Sequence, residues 1–153
     1  MKILPLSLHT DSFLPNEKLQ AAIAQFDALI QELNTRAMPD EVCEEINEEI
    51  RQINAQKATR AATLIKMLDS KRLKIYRILE KKLKWVVKNH YRNLWMILGM
   101  SAFGLPIGYA FSIAIGNWAF LAMGLPIGMP IGMAIGAQMD KKAEQQGRQL
   151  NIE

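Results

Sequence analysis

The stretch GLPIGMPIGMAIG, residues 124–136, decides the fold, because it combines four glycines and two prolines with no charged residue. In water, each Gly costs a helix interior about 1 kcal/mol and each Pro about 3 kcal/mol relative to Ala. In lipid, an unsatisfied backbone group costs several kcal/mol, so such a segment is expected to stay helical there. Residues four apart share a helix face, which predicts a stripe without side chains. This stripe consists of Gly124, Gly128, Gly132 and Gly136.

The stretch belongs to a block of 47 residues, 93–139, that contains no charge. A membrane-spanning helix needs about 20 apolar residues, so the block is too long for one span and suits two. Its most polar point, residues 116–118, divides it into predicted spans at 94–115 and 118–139. A buried hairpin in a soluble protein is the alternative, although the rest of a 153-residue chain offers little material to cover it.

The block repeats itself, because GLPIGYAFSIAIG at 104–116 matches the opening stretch at eight of 13 positions. Gly104 and Gly108 therefore begin a second, shorter stripe. In a hairpin the two copies run antiparallel, and stripes of small residues let helix backbones approach closely in lipid. We expect these glycines to be the packing surface of the two spans.

The prolines of the block are expected to kink the helices. Pro106, Pro126 and Pro130 each lack the N–H that would bond the carbonyl four residues earlier. A freed carbonyl in a membrane needs a neighbouring helix or water as its partner. The prolines thus indicate either a kinked helix that lines a wet path or a kink without functional meaning.

The glycine spacing resembles a glycine zipper, and the ending MPIGMAIGAQMDKKAEQQGRQL, residues 129–150, is similar to small, largely uncharacterised bacterial glycine-zipper membrane proteins. The resemblance covers roughly residues 94–150, about a third of the chain. It implies a membrane protein that self-associates through close helix packing. Some proteins of this kind are channels or pore-forming toxins, and others are anchors or envelope lipoproteins; a lipoprotein cysteine is missing near the start of this chain.

Basic residues flank the block on both sides, and the 116–118 connection carries no charge. Cations favour the cytoplasmic side of a membrane, so the sequence predicts a multi-pass protein of the cytoplasmic (inner) membrane with both termini inside. The same side chains are predicted to contact anionic lipid headgroups. They are Lys81, Lys82, Lys84, Lys88, Arg92, Lys141 and Lys142.

The region before the block, residues 1–92, is expected to be cytoplasmic and helical, as a hairpin or a coiled coil. Residues 1–56 hold four basic and ten acidic residues, whereas residues 57–92 hold 12 basic and two acidic ones. Pro15 and Pro39 suit the first turns of two amphipathic helices. The apolar stripe of the second helix could run without a break from residue 40 to 92, with a bend near Asp69–Ser70. Residues 140–153 are expected to form a polar cytoplasmic tail.

The acidic cluster of the second helix spans Asp40 to Glu49 and contains no His, so we interpret it as a solvated helix face rather than a metal site. The basic stretch that follows suits lipid headgroups better than nucleic acid, given its place beside a span. A further option is that acidic residues 40–49 of one subunit meet basic residues of another. The single cysteine, Cys43, is interpreted as a small apolar side chain.

These features predict an all-α fold, with amphipathic helices followed by a two-helix transmembrane hairpin. The two histidines lack a nucleophile or carboxylate partner, and no P-loop or paired-cysteine spacing occurs, so we expect no enzymatic activity, cofactor or metal. The first functional hypothesis is a homo-oligomeric pore or channel packed through the glycine stripes. The second, ranked slightly below it, is a membrane-anchored scaffold whose N-terminal helices bind a protein partner at the inner leaflet.

Overall fold

A computed structural model describes residues 2–8, 16–56 and 60–152 of the chain. Nearly all of these residues that lie in regular structure are helical, so the predicted all-α class is confirmed. The chain divides into two compact units, an N-terminal unit up to Trp85 that includes Leu150–Ile152, and a C-terminal unit, Val86–Gln149.

The N-terminal unit contains three helices, α1 (Glu17–Asn34), α2 (Asp40–Ala55) and α3 (Ala61–Leu83). Asn16 caps α1 by accepting a hydrogen bond from the backbone N–H of Leu19. Pro39 directly precedes α2, as the sequence predicted, and two acidic residues lie in the first turn. Helix α3 packs against both other helices. The core is formed by the predicted apolar stripes, including Phe26, Leu33, Ile46, Ile50, Leu68 and Leu79.

The predicted bend near Asp69–Ser70 is wrong, because α3 runs through both residues without interruption. The helical stripe breaks instead at two other places. Helix α2 ends at Ala55, and α3 ends at Leu83, where the next residue, Lys84, takes the left-handed conformation with φ 58°. The apolar stripe could not reveal these breaks, since its spacing continues across both. The predicted role of Pro15 lies outside the described residues.

The acidic cluster is not a purely solvated face, which corrects the sequence interpretation. Glu49 is only 5% exposed and forms ion pairs with Lys71 at 2.7 Å and Lys74 at 2.6 Å. Lys82 likewise bridges Glu41 and Glu45 at 2.7 and 2.8 Å. The acidic residues of α2 therefore meet the basic residues of α3 within one chain, where they hold the two helices together.

The C-terminal unit is a helical hairpin. Its first arm consists of α4 (His90–Gly99), a π-helical turn (Met100–Gly104) and α5 (Leu105–Ile115). Its second arm consists of a 3-10 helix (Trp118–Met123) and α6 (Gly124–Gln145). Two short strands, β1 (Val86–Val87) and β2 (Gln149–Leu150), pair with each other. The two arms, 26 and 28 residues long, are long and apolar enough to cross a membrane.

The tip of the hairpin is the two-residue connection Gly116–Asn117. Gly116 has φ 71°, and the N–H of Asn117 bonds the carbonyl of Ser112 at 3.1 Å, so α5 ends in a Schellman motif. The Asn117 side chain then accepts a hydrogen bond from Ala119 N–H at 2.9 Å and caps the second arm. One glycine and one asparagine thus reverse the chain at the place where the sequence predicted the break.

Candidate functional site: a glycine-packed helical hairpin

The two arms contact each other through glycine backbones. A Cβ added at Gly104 would lie 2.9 Å from the carbonyl oxygen of Gly124, and one at Gly136 would lie 2.5 Å from the Cα of Arg92. Real Cβ atoms almost never approach backbone atoms this closely. All six predicted packing glycines are buried and face the opposite arm of the same chain. They are Gly104, Gly108, Gly124, Gly128, Gly132 and Gly136.

The two copies of the GLPIG motif meet each other directly. Gly124 packs on Gly104 and Gly108, and Gly128 packs on Gly104 and Gly99. The duplication therefore supplies both halves of one antiparallel interface. Because these positions carry no side chains, the two backbones approach closely and gain van der Waals contact.

Gly99 is a further packing glycine that the sequence analysis missed. A Cβ at Gly99 would lie 2.5 Å from the carbonyl oxygen of Gly128 and 2.7 Å from the Cα of Gly132. The sequence pattern did not indicate Gly99, because it precedes Gly104 by five residues and only residues three or four apart share a face of an α-helix. In an α-helix, with about 100° per residue, five steps would turn it about 140° away from Gly104.

The π-helical turn explains how Gly99 and Gly104 come to share a face. A π turn closes from residue i to i+5 and accommodates one residue more than an α turn. It covers Met100–Gly104, the interval between the two glycines. Pro106, two residues after the turn, lacks the N–H that would bond Ala102 in an α-helix. The predicted irregularity at Pro106 is thus a change of helix register that keeps the glycines in line.

The other two prolines disturb the helix less. Pro126 is the third residue of α6, where a missing N–H falls within the first turn. Pro130 lies inside α6, which is continuous around it. The hydroxyl of Ser112, one of the few polar groups of the block, is buried and donates to the carbonyl of Gly108 at 2.9 Å. The hydroxyl proton of Ser112 is therefore already hydrogen-bonded inside the hairpin.

Asp140 closes the open end of the hairpin and was also missed. Its carboxylate accepts hydrogen bonds from the backbone N–H groups of Tyr91 at 3.0 Å and Arg92 at 2.9 Å. These are orphan donors in the first turn of α4, whose own cap residue, Asn89, makes no side-chain capping bond. Hydrogen bonds to a charged group contribute about 1.5–3 kcal/mol each. The only sequence signal for this clamp, the contact of Asp140 with the first turn of α4, is that Asp140 is the first charged residue after the apolar block.

A cavity of about 400 Å³ opens beside this clamp, and three of the predicted headgroup-contacting cations line it. These are Lys88, Arg92 and Lys141, which have no ion-pair partner within the described parts of the chain. Lys142 is exposed in the last turn of α6. The remaining three, Lys81, Lys82 and Lys84, belong to the N-terminal unit, where Lys82 is already paired with glutamates.

The outer surface of the hairpin is apolar. Large side chains on both arms are 38–69% exposed. Isolated exposed apolar residues are normal on soluble proteins, but a continuous apolar perimeter marks a surface that lipid or another protein covers. The exposed residues are Leu94, Ile97, Leu98, Phe103, Leu105, Tyr109, Phe111, Ile113, Ile115, Trp118, Met123, Ile127 and Ile131.

Comparison with protein-family models, curated proteins and solved structures finds no match for this chain. Among the residues that the structure describes, no group of three or more His, Cys, Asp or Glu is placed to hold a metal ion. The packing of the site joins two apolar helices within one chain and leaves their outer faces apolar.

Proposed function

We propose that the protein is a membrane-anchored helical scaffold, in which the hairpin holds the N-terminal unit at the cytoplasmic surface of the inner membrane for a protein partner. The observation that carries this proposal is that the glycines of the two arms pack against each other within one chain. A hairpin closed in this way is complete as an anchor without a second copy.

The apolar perimeter supports the membrane as the environment of the hairpin. Burial of apolar surface is favourable by about 25 cal/mol per Å², so a hairpin with this perimeter is more stable in lipid than in water. The charged side chains of this unit lie near the end of the hairpin opposite the Gly116–Asn117 tip. Cations on that side favour its placement in the cytoplasm, with the tip on the far side.

The pore hypothesis has less support. A ring of hairpins would require a second interface, because the glycine surfaces of both arms are already covered. A conducting path also needs polar groups, and the buried hydroxyl of Ser112 donates to its own helix. A homo-oligomer would have to form through the bulky outer faces, which are equally suited to contact with lipid tails.

Single-cysteine labelling of the full chain in inverted and right-side-out membrane vesicles tests the anchor. In a Cys43→Ala background, Asn117→Cys reports on the tip and Gln146→Cys on the residues after α6. The proposal predicts that an impermeant maleimide labels the first only from the outside and the second only from the inside. The protein should also resist extraction by alkaline carbonate.

Labelling of both positions from the same side, or release by carbonate, would show that the hairpin does not span the membrane. Conductance is measured on the same protein in planar bilayers. The scaffold predicts no conductance above that of protein-free bilayers, while discrete single-channel steps would overturn it in favour of the pore.

A further inference from the structure

Residues 2–8 form an extended segment, here called the strap, that lies on the N-terminal unit without joining a helix or sheet. Three asparagine side chains hold it: Asn34 at the end of α1, and Asn47 and Asn54 on α2. Each amide group both accepts a hydrogen bond from a strap N–H and donates one to a strap carbonyl. The strap is therefore recognised through its backbone.

The six hydrogen bonds follow the strap in order. Asn34 accepts from the N–H of Ile3 at 2.9 Å and donates to the carbonyl of the same residue at 3.5 Å. Asn47 accepts from Leu4 at 2.8 Å and donates to Lys2 at 3.2 Å. The last amide, of Asn54, accepts from Ser7 at 2.8 Å and donates to Pro5 at 3.2 Å.

Asn47 is the most informative of the three residues. It lies on the buried side of α2 and is only 3% exposed, where an apolar side chain would ordinarily stand. Within the described part of the chain, its amide group bonds only to the strap. Burying an amide group costs free energy unless the group is hydrogen-bonded. The strap backbone supplies the hydrogen bonds that allow the Asn47 amide to lie in the core.

Side chains contribute to strap binding mainly at one point. Ile3 is buried, at 5% exposure, and Leu6 and Leu8 are half-buried, whereas the other strap side chains are exposed. The groove therefore binds an extended backbone with one fully buried aliphatic anchor. It requires an N–H at the positions of Ile3, Leu4 and Ser7, and it tolerates proline at position 5, where only the carbonyl is used.

We infer that the groove formed by Asn34, Asn47 and Asn54 is a binding site for an extended, aliphatic peptide segment of a partner protein, which the strap occupies in its absence. This inference deepens the proposed scaffold function and rests on it, since it states how the N-terminal unit would bind its partner. The strap is the template for the ligand: an extended segment with an Ile-like anchor and a free N–H at the following residue.

The test uses the full chain in detergent micelles, with residues 2–8 deleted, and a fluorescein-labelled peptide of the strap sequence KILPLSL. Fluorescence anisotropy should show saturable binding to the deletion variant. Binding to the wild-type chain should be at least about tenfold weaker, because the tethered strap competes at a high effective concentration. A peptide with Leu4→Pro lacks the N–H that Asn47 accepts and should bind at least about tenfold more weakly than the parent peptide.

A peptide with Pro5→Ala is the matched control, because it keeps every hydrogen bond to the groove and should bind within about threefold of the parent. Binding of each peptide to protein-free micelles is measured and subtracted, so the remaining difference between the peptides reports on the groove. In the protein, Asn54→Ala should weaken binding while leaving the helical circular dichroism unchanged.

Absence of binding to a folded deletion variant overturns the inference, as does equal binding of the parent and Leu4→Pro peptides. If the deletion variant does not fold, the full chain with Leu4→Pro in its own strap replaces it and should bind the peptide more tightly than wild type does. If that variant also unfolds, the strap is part of the folded core and the inference fails. These peptide-binding measurements do not depend on membrane insertion, so a negative result would overturn the binding site without overturning the proposed membrane anchor.

Discussion

At the scale of the residue, neighbouring positions of α6 have opposite packing roles. Gly132 faces the first arm, and a Cβ there would lie 2.8 Å from the carbonyl carbon of Trp95 and 3.0 Å from the Cα of Gly99. Met133, the next residue, is half-buried, and one helical step turns it about 100° away from Gly132. The absence of a side chain at Gly132 is therefore a requirement of the interface, whereas Met133 tolerates replacement.

Gly132→Leu should force the arms apart, while Met133→Leu should leave them in place. Overpacking a tight contact costs about 1–3 kcal/mol, and more where only backbone lies opposite. Electron-spin distance measurement between labels at Asn93→Cys and Gln138→Cys, in a Cys43→Ala background, reports on the arm separation. We expect a broadened, longer distance for the glycine variant alone; equal effects would mean that the stripe is not the interface.

At the scale of the element, the sequence predicted the helices well and their irregularities poorly. The four-residue glycine spacing in 124–136 and the Gly116–Asn117 turn follow from local rules that the structure obeys. Gly99 did not follow from them, because the π turn that brings it into line depends on packing across the hairpin. The stripe of α2 and α3 likewise gave no sign of the break after Ala55.

Deletion of Ala102 should leave the hairpin closed, because it changes the interval between Gly99 and Gly104 from five residues to four. An α-helix then places both glycines on one face, and the π turn is no longer needed. Deletion of Ala134 is the matched control, since it moves Gly136 out of register in a regular α-helix. Thermal unfolding in detergent should show a loss of more than about 2 kcal/mol for the control only. Similar losses for both deletions would contradict the register role of the π turn.

The link between α2 and α3 should depend on pH through Glu49. Burial tends to raise the pKa of Glu49, but hydrogen bonds from Lys71 and Lys74 outweigh it and hold the pKa below its ordinary value. A lowered pKa means that the ion pairs stabilise the fold above the unfolded pKa, about 4.3, and that this stabilisation is lost as the pH falls through the folded pKa.

Glu49→Gln should therefore destabilise the N-terminal unit by about 1–3 kcal/mol at pH 7, and the difference from wild type should shrink below about pH 4. Chemical unfolding of the full chain in detergent, followed by circular dichroism from pH 7 to 3, measures it. Glu44→Gln, on the exposed side of α2, is the control and should change little. A difference that stays constant with pH would show that the pair does not titrate as described.

At the scale of the whole molecule, composition predicted a polar helical region followed by an apolar hairpin, and the structure has both. The predicted order of acidic and basic segments was also informative, although their pairing within one chain, through Glu49 and Lys82, required the packing of α2 against α3. The strap groove could not be predicted from the sequence. Its three asparagines are far apart along the chain, and they form a site only because α1 and α2 place all of them beside the strap.

The measurement that tests the account most directly is the mass of the full chain in lipid nanodiscs, determined by native mass spectrometry. Because the glycine surfaces are covered within one chain, we expect one copy per disc across a tenfold range of protein-to-disc ratio. Gly132→Leu should raise the fraction of larger assemblies. A discrete ring of about five or more copies of the wild-type chain would contradict the anchor and restore the pore.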